Sequence, residues 1–222
     1  MAIAENGPNG HHRGRIGNIV YYVVNGKNVS RTIGITTKPP TVLQLRSRMV
    51  TKLSSGLFSN LLDFINTGFS IIAIQAMDNA YNQAKKYNKD HLIKDNYPDL
   101  EIAYDLLQVS KGLLKPAQNW QVALDDEGLH YNWDTDPQMP WPEATDQVMM
   151  LAYFPKQEKV IFNLFGRSRI SGSDVLEIPS SLQGEYMETY ISFIAANRQQ
   201  VANSCYTGNF NKEVSEDLTL AS

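Results

Sequence analysis

The sequence has little of what most enzymes and metal centres are built from. Its single cysteine, Cys205, allows no intramolecular disulfide and no zinc site made of cysteines. The G-x-S-x-G pattern of many hydrolases and the H-E-x-x-H pattern of metalloproteases do not occur. We therefore expect a protein that is not an enzyme and that carries no cofactor.

Long apolar runs are also missing. The most apolar window, FSIIAIQAM at residues 69–77, is too short to cross a bilayer, so we expect no membrane span. Residues 1–10 lack the basic segment and the apolar core of a signal peptide. We predict no signal peptide, leave the compartment open and take the cytoplasm as the default.

Charge is distributed unevenly along the 222 residues, although the net charge is only −3. Residues 1–52 contain eight Lys or Arg against one acid, Glu5, which gives a net charge of +7. The remaining 12 basic and 22 acidic residues give a net charge of −10. Such asymmetry predicts that the N-terminal part meets an acidic surface, on its own C-terminal half, on a second copy or on another protein.

A dense run of Ile, Val and Tyr at residues 19–24 predicts a β-strand. Asn25-Gly26 follows, and both residues tolerate the positive φ of a type I′ turn, so we predict a hairpin over residues 16–33. The two-residue turn fixes the expected pairs: Val24 with Lys27, Tyr22 with Val29 and Val20 with Arg31. The first strand is apolar on both faces, so it should be interior, with the second strand nearer an edge.

Apolar residues spaced mostly four apart predict two helices after the hairpin. The first covers residues 41–66 and begins with a capping box of Thr41 and Gln44. The second covers residues 78–88. Together with the hairpin they form a predicted N-terminal α+β unit, residues 1–115.

After this unit the apolar pattern changes to period two, which is typical of half-buried strands. Seven short strands at regular spacing predict an antiparallel β-sandwich over residues 116–210. The candidate strands are 118–124, 128–133, 146–154, 158–165, 174–178, 186–195 and 199–206. Residues 211–222 are polar and are predicted to form a flexible tail.

Several stretches of this half look like the strands of a known fold: LHYNWD, DQVMMLAYF, LEIP and GEYMETYISFIAANRQQVANSCYTG. Residues 116–208 resemble a fibronectin type III domain, one of the immunoglobulin-like (Ig-like) sandwiches. The resemblance implies a seven-stranded sandwich with Trp133 in its core.

A second resemblance extends over nearly the whole chain. It is carried by GRIGNIVYYVVNGKNVSR, a P-T-x-x-Q-x-x-x-R segment, NAYNQAKKYN, VSKGLL and TDQVMMLAY. In these stretches the chain resembles an uncharacterised bacterial family, a domain of unknown function. The family has no assigned activity, so the resemblance implies no functional residues.

Four basic residues around the hairpin are candidate binding residues: Arg13, Arg15, Lys27 and Arg31. With Tyr21 and Tyr22 they make a patch that nucleic acid can pair with and stack on. No helix-turn-helix or RNA-binding signature accompanies them, so nucleic acid is disfavoured. A protein partner, including a second copy of the chain, is the favoured interpretation.

The loop between the second and third predicted strands is acidic. Its weak candidates for calcium ligands, or for the acid–base residues of a calcium-assisted hydrolase, are Asp134, Asp136, Glu143 and Asp146. The residue order of an EF-hand is absent, and a solvated loop is the favoured interpretation. In the same loop, MPWPE places Trp141 between two prolines, where an exposed Trp can recognise a carbohydrate or a peptide.

Three further motifs are better explained by structure than by chemistry. Adjacent residues of an extended chain point to opposite faces, so His11 and His12 cannot readily share one metal. The glycines at 7, 10, 14 and 17 precede a strand, whereas a phosphate-binding loop leads into a helix. Cys205 is predicted to be a buried structural thiol.

Taken together, these features favour a non-catalytic binding or assembly protein that uses the basic hairpin and the loops of the sandwich. Recognition of a carbohydrate or a peptide around Trp141 is the alternative. Calcium-assisted hydrolysis and nucleic-acid binding are less favoured.

Overall fold

The computed structural model describes residues 2–4, 10–35 and 37–212. The chain forms two compact units, Met1–Leu45 and Arg46–Ser222, which are described one at a time. Most of the predicted tail, from residue 213 onward, lies outside the described residues.

The first unit is an antiparallel sheet of β1 (Ala2–Ala4), β2 (His12–Ile16), β3 (Ile19–Val24) and β4 (Lys27–Thr32). Each strand pairs with the next along the chain. Asn25 and Gly26 have φ values of 49° and 74°, as a type I′ turn requires. The predicted register of the hairpin is confirmed, for example by Tyr22 opposite Val29.

This sheet has no buried face. β3 lies between two strands and β4 at the edge, as predicted. The side chains of β3 are nevertheless half-buried or exposed, and none of the described side chains up to residue 56 is buried. An antiparallel sheet of this size depends on a buried apolar face for its stability, so this one requires cover.

The helices are α1 (Val42–Asn60), α2 (Leu62–Gly68), α3 (Ser70–Gln75) and α4 (Ala80–Asn88). The predicted capping box is present at the start of α1. The N–H of Thr41 donates to Gln44 Oε1 (3.1 Å), and the N–H of Gln44 donates to Thr41 Oγ1 (3.3 Å).

Two helix predictions need correction. The helix expected over residues 41–66 is divided at Leu61 into α1 and α2. The helix expected over residues 78–88 begins only at Ala80, because Asn79 caps it by accepting a hydrogen bond from the N–H of Asn82 (2.8 Å). The short helix α3 was not predicted.

The rest of the second unit is mainly β-structure. Its strands are β5 (Ile93–Asn96), β6 (Asp99–Ile102), β7 (Gln121–Leu124), β8 (Gly128–Asn132), β9 (Gln147–Phe154), β10 (Lys159–Asn163), β11 (Ser173–Glu177), β12 (Met187–Ile194) and β13 (Cys205–Phe210). β5 and β6 form a hairpin. The others form a four-stranded sheet, β10-β9-β12-β13, and a three-stranded sheet, β11-β8-β7.

The predicted α+β class is confirmed, with antiparallel strands in several sheets. The last strand is displaced from the prediction of residues 199–206 and begins at Cys205. The preceding residues form a loop, in which only single bridges occur, from Val201 to Ile194 and from Ala202 to Leu114.

The four-stranded sheet is buried on both faces. Side chains of β9 and β12 alternate between two cores, because successive residues of a strand point to opposite sides. One core joins this sheet to the helices through Met149, Leu151, Tyr153, Tyr190 and Ile194. The other joins it to the three-stranded sheet through Val148, Met150, Ala152, Phe154, Ile191 and Phe193.

This packing places the helices and the sheets in one unit. Leu57, Phe58 and Phe64 of the helical layer belong to the same buried cluster as Leu151 and Tyr190 of the sheet. The compact units therefore divide between residues 45 and 46. The sequence predicted a division between residues 115 and 116, since pattern alone does not reveal that the sheet has a second apolar face.

The segment 108–114 connects the helical layer to the β-structure. Asn88 holds its start by two hydrogen bonds to the backbone of Gln108 (2.8 and 3.0 Å). Ser110 Oγ donates to Ser192 Oγ (2.7 Å) on β12. The N–H of Leu114 donates to the carbonyl of Val201 (3.1 Å), which brings the segment beside the β12–β13 loop.

A pair of glycines in the helices tests this packing. A Cβ at Gly68 would lie 2.4 Å from the carbonyl oxygen of Val109, whereas one at Gly56 would meet nothing within 4 Å. We expect Gly68→Ala to lower the free energy of unfolding by about 1–3 kcal/mol through overpacking. Gly56→Ala should raise it by about 0.5–1 kcal/mol through helix propensity. Urea unfolding of both variants measures this, and equal shifts would contradict the close approach at Gly68.

Candidate functional site

Three separate segments form a cleft at one end of the larger sheets. They are the β8–β9 loop, the β12–β13 loop and the end of the segment 108–114 with Lys115. The cleft has a volume of about 580 Å³, and its lining is mostly apolar, from Leu113, Leu114, Pro140, Trp141, Pro142, Ala195 and Ala196. The polar and charged part of the lining comes from Lys115, Glu143, Thr145, Asp146, Asn197 and Gln200. A concave apolar surface with a few polar groups is typical of a ligand-binding site.

Trp141 is the prominent residue of this cleft, because 79% of its surface is exposed. A turn fixes the backbone around it. The N–H of Ala144 donates to the carbonyl of Pro140 (3.2 Å), and the Thr145 hydroxyl donates to the carbonyl of Pro142 (2.7 Å). The indole is thus an exposed side chain on a well-anchored loop, as the sequence predicted for Trp141.

Asp146, one of the residues that line the cleft, forms a buried ion pair with Arg169. Asp146 Oδ2 lies 3.3 Å from Arg169 Nη2, and both residues are 3% exposed. Arg169 Nη2 also donates to the carbonyl of Lys115 (2.8 Å), and its guanidinium lies 3.7 Å from the centroid of the Phe193 ring. Trp133, buried as expected, donates from Nε1 to the carbonyl of Arg169 (2.7 Å).

Burial dominates the electrostatics of this pair. Desolvation raises the pKa of the Asp146 carboxyl, and the charge of Arg169 opposes that rise. Desolvation likewise lowers the pKa of Arg169, against the charge of Asp146. The pair therefore fixes the loop that carries Trp141 and does not present a carboxylate to solvent.

The four weak calcium candidates do not converge. Asp134 and Asp136 are exposed and stabilise local structure. Asp134 accepts a hydrogen bond from the side-chain amide of Asn119, and Asp136 accepts one from the backbone N–H of Gln138. Glu143 lies 4.0 Å from Lys115 Nζ, and Asp146 pairs with Arg169. Among residues 2–4, 10–35 and 37–212, no three His, Cys, Asp or Glu form a group that could hold a metal ion.

The basic candidates of the first unit lie on one face of its sheet. Residues 13 and 15 of β2 and residues 27 and 31 of β4 all point to the side of Val20, because Arg15 and Arg31 are both opposite Val20. The four side chains that share this face are exposed: Arg13, Arg15, Lys27 and Arg31. The register thus brings the predicted binding residues together.

The remaining sequence candidates take structural positions. His11 Nδ1 is hydrogen-bonded to Asn28 Oδ1 (2.9 Å). The His12 ring contacts Tyr21, which lies on the same face of the sheet as Asn28 and opposite the basic face. Cys205 is half-buried, and desolvation raises the pKa of its thiol, which disfavours the reactive thiolate.

Sequence reasoning missed Glu188, a buried carboxylate on β12 surrounded by tyrosines. The signal was an acidic residue between Tyr186 and Tyr190, inside the apolar stretch GEYMETYISF. Lys, Glu, Arg and Asp are almost never fully buried unless they are paired, so such a residue marks a special environment.

A family model described as a family of unknown function (DUF6266) matches residues 11–208. The chain belongs to this family. No curated protein and no solved structure matches the chain. Membership of DUF6266 confirms the resemblance to an uncharacterised family, while the fibronectin type III resemblance gains no support from a solved structure.

The buried ion pair of this DUF6266 member can be tested directly. Asp146→Asn should lower the free energy of unfolding by about 3–5 kcal/mol, because it leaves the Arg169 guanidinium buried without its counter-charge. The double variant Asp146→Asn with Arg169→Leu should recover part of that loss. The exposed control Asp136→Asn should change the free energy of unfolding by less than about 0.5 kcal/mol. Equal unfolding midpoints in urea for Asp146→Asn and Asp136→Asn would contradict the role of the pair.

Proposed function

We propose that this protein is a non-catalytic assembly protein whose N-terminal residues bind a second copy of the chain. The observation that carries the proposal is the absence of any buried side chain among the described residues up to 56. Four strands and most of helix α1 thus form without a buried side chain, which is typical of a surface that is covered in an assembly.

The basic face of the sheet supplies one part of the binding surface. Arg13, Arg15, Lys27 and Arg31 surround the apolar residues Val20, Tyr22, Val24 and Val29 on that face, according to the strand register. Apolar residues with a charged rim are the usual composition of a protein interface.

Helix α1 offers an apolar surface of its own, separate from that of the sheet. Its apolar stripe begins with Val42, Leu45 and Met49, which are 63%, 38% and 38% exposed. The same stripe continues to Leu57, which is buried in the core of the second unit. The first half of the stripe therefore offers the same kind of surface to a partner.

A second copy fits this surface because of the charge distribution. Residues 1–52 carry a net charge of +7 and the remaining residues a net charge of −10, so opposite surfaces attract each other between copies. A head-to-tail contact of this kind is heterologous and builds rings or filaments.

The fibronectin type III-like interpretation of the second unit belongs to this proposal. In its favour, seven strands form two antiparallel sheets, β10-β9-β12-β13 and β11-β8-β7, around a common core that includes Trp133. Sandwiches of this class use their end loops for binding, as the Trp141 cleft would.

Light scattering tests the assembly. We expect the average molar mass in solution to rise with protein concentration at low salt. It should fall as added salt screens the charges. Arg15→Glu with Arg31→Glu should shift the protein to monomer, whereas Lys89→Glu with Lys159→Glu, an exposed pair on the second unit, should change the mass much less. A monomeric wild type at high concentration and low salt would refute the proposal.

Recognition through the Trp141 cleft is a second candidate, favoured by the 79% exposure of the indole within a mostly apolar lining. We expect the wild type to bind peptides with apolar side chains on a peptide array. Trp141→Ala should lose these peptides, because it weakens their binding by about 2 kcal/mol or more. Ile74→Ala, another exposed apolar residue, should keep them. A glycan array run in parallel separates the carbohydrate alternative, and hits that do not depend on Trp141 count against the cleft.

A further inference from the structure

A second cleft lies between the β5–β6 hairpin and the ends of β12 and β13, with a volume of about 510 Å³. It lies wholly within the second unit and shares no lining residue with the Trp141 cleft. Its lining is rich in tyrosines and charges: Lys94, Glu101, Tyr104, Asp105, Tyr186, Glu188, Tyr206 and Lys212.

Glu188 is the central residue of this cleft. It is only 2% exposed, and each carboxylate oxygen accepts a hydrogen bond from a phenol. Tyr186 donates to Oε1, and Tyr206 donates to Oε2 (2.6 Å). Asn209 Nδ2 in turn donates to the Tyr206 hydroxyl (3.3 Å). Phenols are neutral, so these bonds hold the carboxylate in place without neutralising its charge.

Burial makes that charge costly. The pKa of Glu188 is raised, because desolvation outweighs the hydrogen bonds from Tyr186 and Tyr206 and the charge of Lys212, which lower it. Desolvation and the bond to Glu188 also raise the pKa of Tyr206 to about 12, so its phenol stays protonated and keeps donating. A cation brought near would favour the ionised carboxylate, and water would screen their attraction less than at an open surface, because Glu188 is only 2% exposed.

The chain already places one ammonium at this site. Lys212 Nζ lies 6.0 Å from the centroid of the Tyr186 ring, at the limit of a cation–π contact. A phenol that donates to a carboxylate gains electron density in its ring, which strengthens its attraction for a cation. Lys212 therefore places a cation beside the site, within range of the Tyr186 ring and of the Glu188 charge.

We propose that this cleft binds an aliphatic ammonium group on Tyr186 and Tyr206 in front of Glu188, in competition with Lys212. The site has no assigned role, and it does not depend on the proposed assembly.

The charges around the cleft favour a cation over an anion. Three carboxylates line it, Glu101, Asp105 and Glu188, against the ammonium groups of Lys94 and Lys212. Lys94 lies opposite Glu101 in the β5–β6 ladder, where the two charges offset each other. Displacing Lys212 would leave an excess of negative charge for the ligand.

Calorimetry on the full chain at low salt tests the site, with spermidine and Nα-acetyl-lysine methylamide as probes. We expect Glu188→Gln to weaken binding of both about tenfold or more, which corresponds to about 1.4 kcal/mol. Lys212→Gln should strengthen it severalfold, because the competing ammonium is gone. Glu177→Gln, an exposed carboxylate on β11, is the matched control and should bind as the wild type does.

The two probes separate a free polyamine from a lysine side chain as the source of the ammonium. Tyr186→Leu removes a half-buried ring and gives a second loss-of-binding variant if Glu188→Gln unfolds. The proposal is overturned if neither the wild type nor Lys212→Gln binds either probe. Equal affinities of Glu188→Gln and Glu177→Gln would also overturn it.

Discussion

The second unit depends on the burial of one sheet from both sides. β9 and β12 send alternate side chains into a core with the helices and into a core with the three-stranded sheet. Neither layer can be removed without exposing a row of apolar residues of the same two strands. This constraint explains why the helices and the β-structure form one compact unit from residue 46 onward.

Both clefts follow from this arrangement. The strands fix where their loops begin, so the β8–β9 and β12–β13 loops meet beside the segment 108–114 and form the Trp141 cleft. The Glu188 cleft lies where the helical side of the same sheet meets the β5–β6 hairpin. In each place a charged residue is buried among aromatic rings, Arg169 over Phe193 and Glu188 between Tyr186 and Tyr206. The rigid sheet keeps these groups in position.

The first unit is built on the opposite principle. Its strands are specified by local sequence, through the Asn25-Gly26 turn and the β-branched residues of β3. It buries none of its described side chains, so local preference rather than a core decides its form. In the proposed assembly this surface would gain hydrophobic stabilisation from a second copy of the chain.

The features that the sequence alone determined are the ones that local interactions decide. The hairpin register, the capping box of Thr41 and Gln44, six of the seven predicted strand regions of the second half and the exposure of Trp141 all depend on residues close together in the chain. Tertiary structure decided the break at Leu61, the division of the units and the pairing of Asp146 with Arg169. It also decided the burial of Glu188 among tyrosines. These features depend on which layer covers which face, and a linear pattern records that a face is apolar without recording what lies against it.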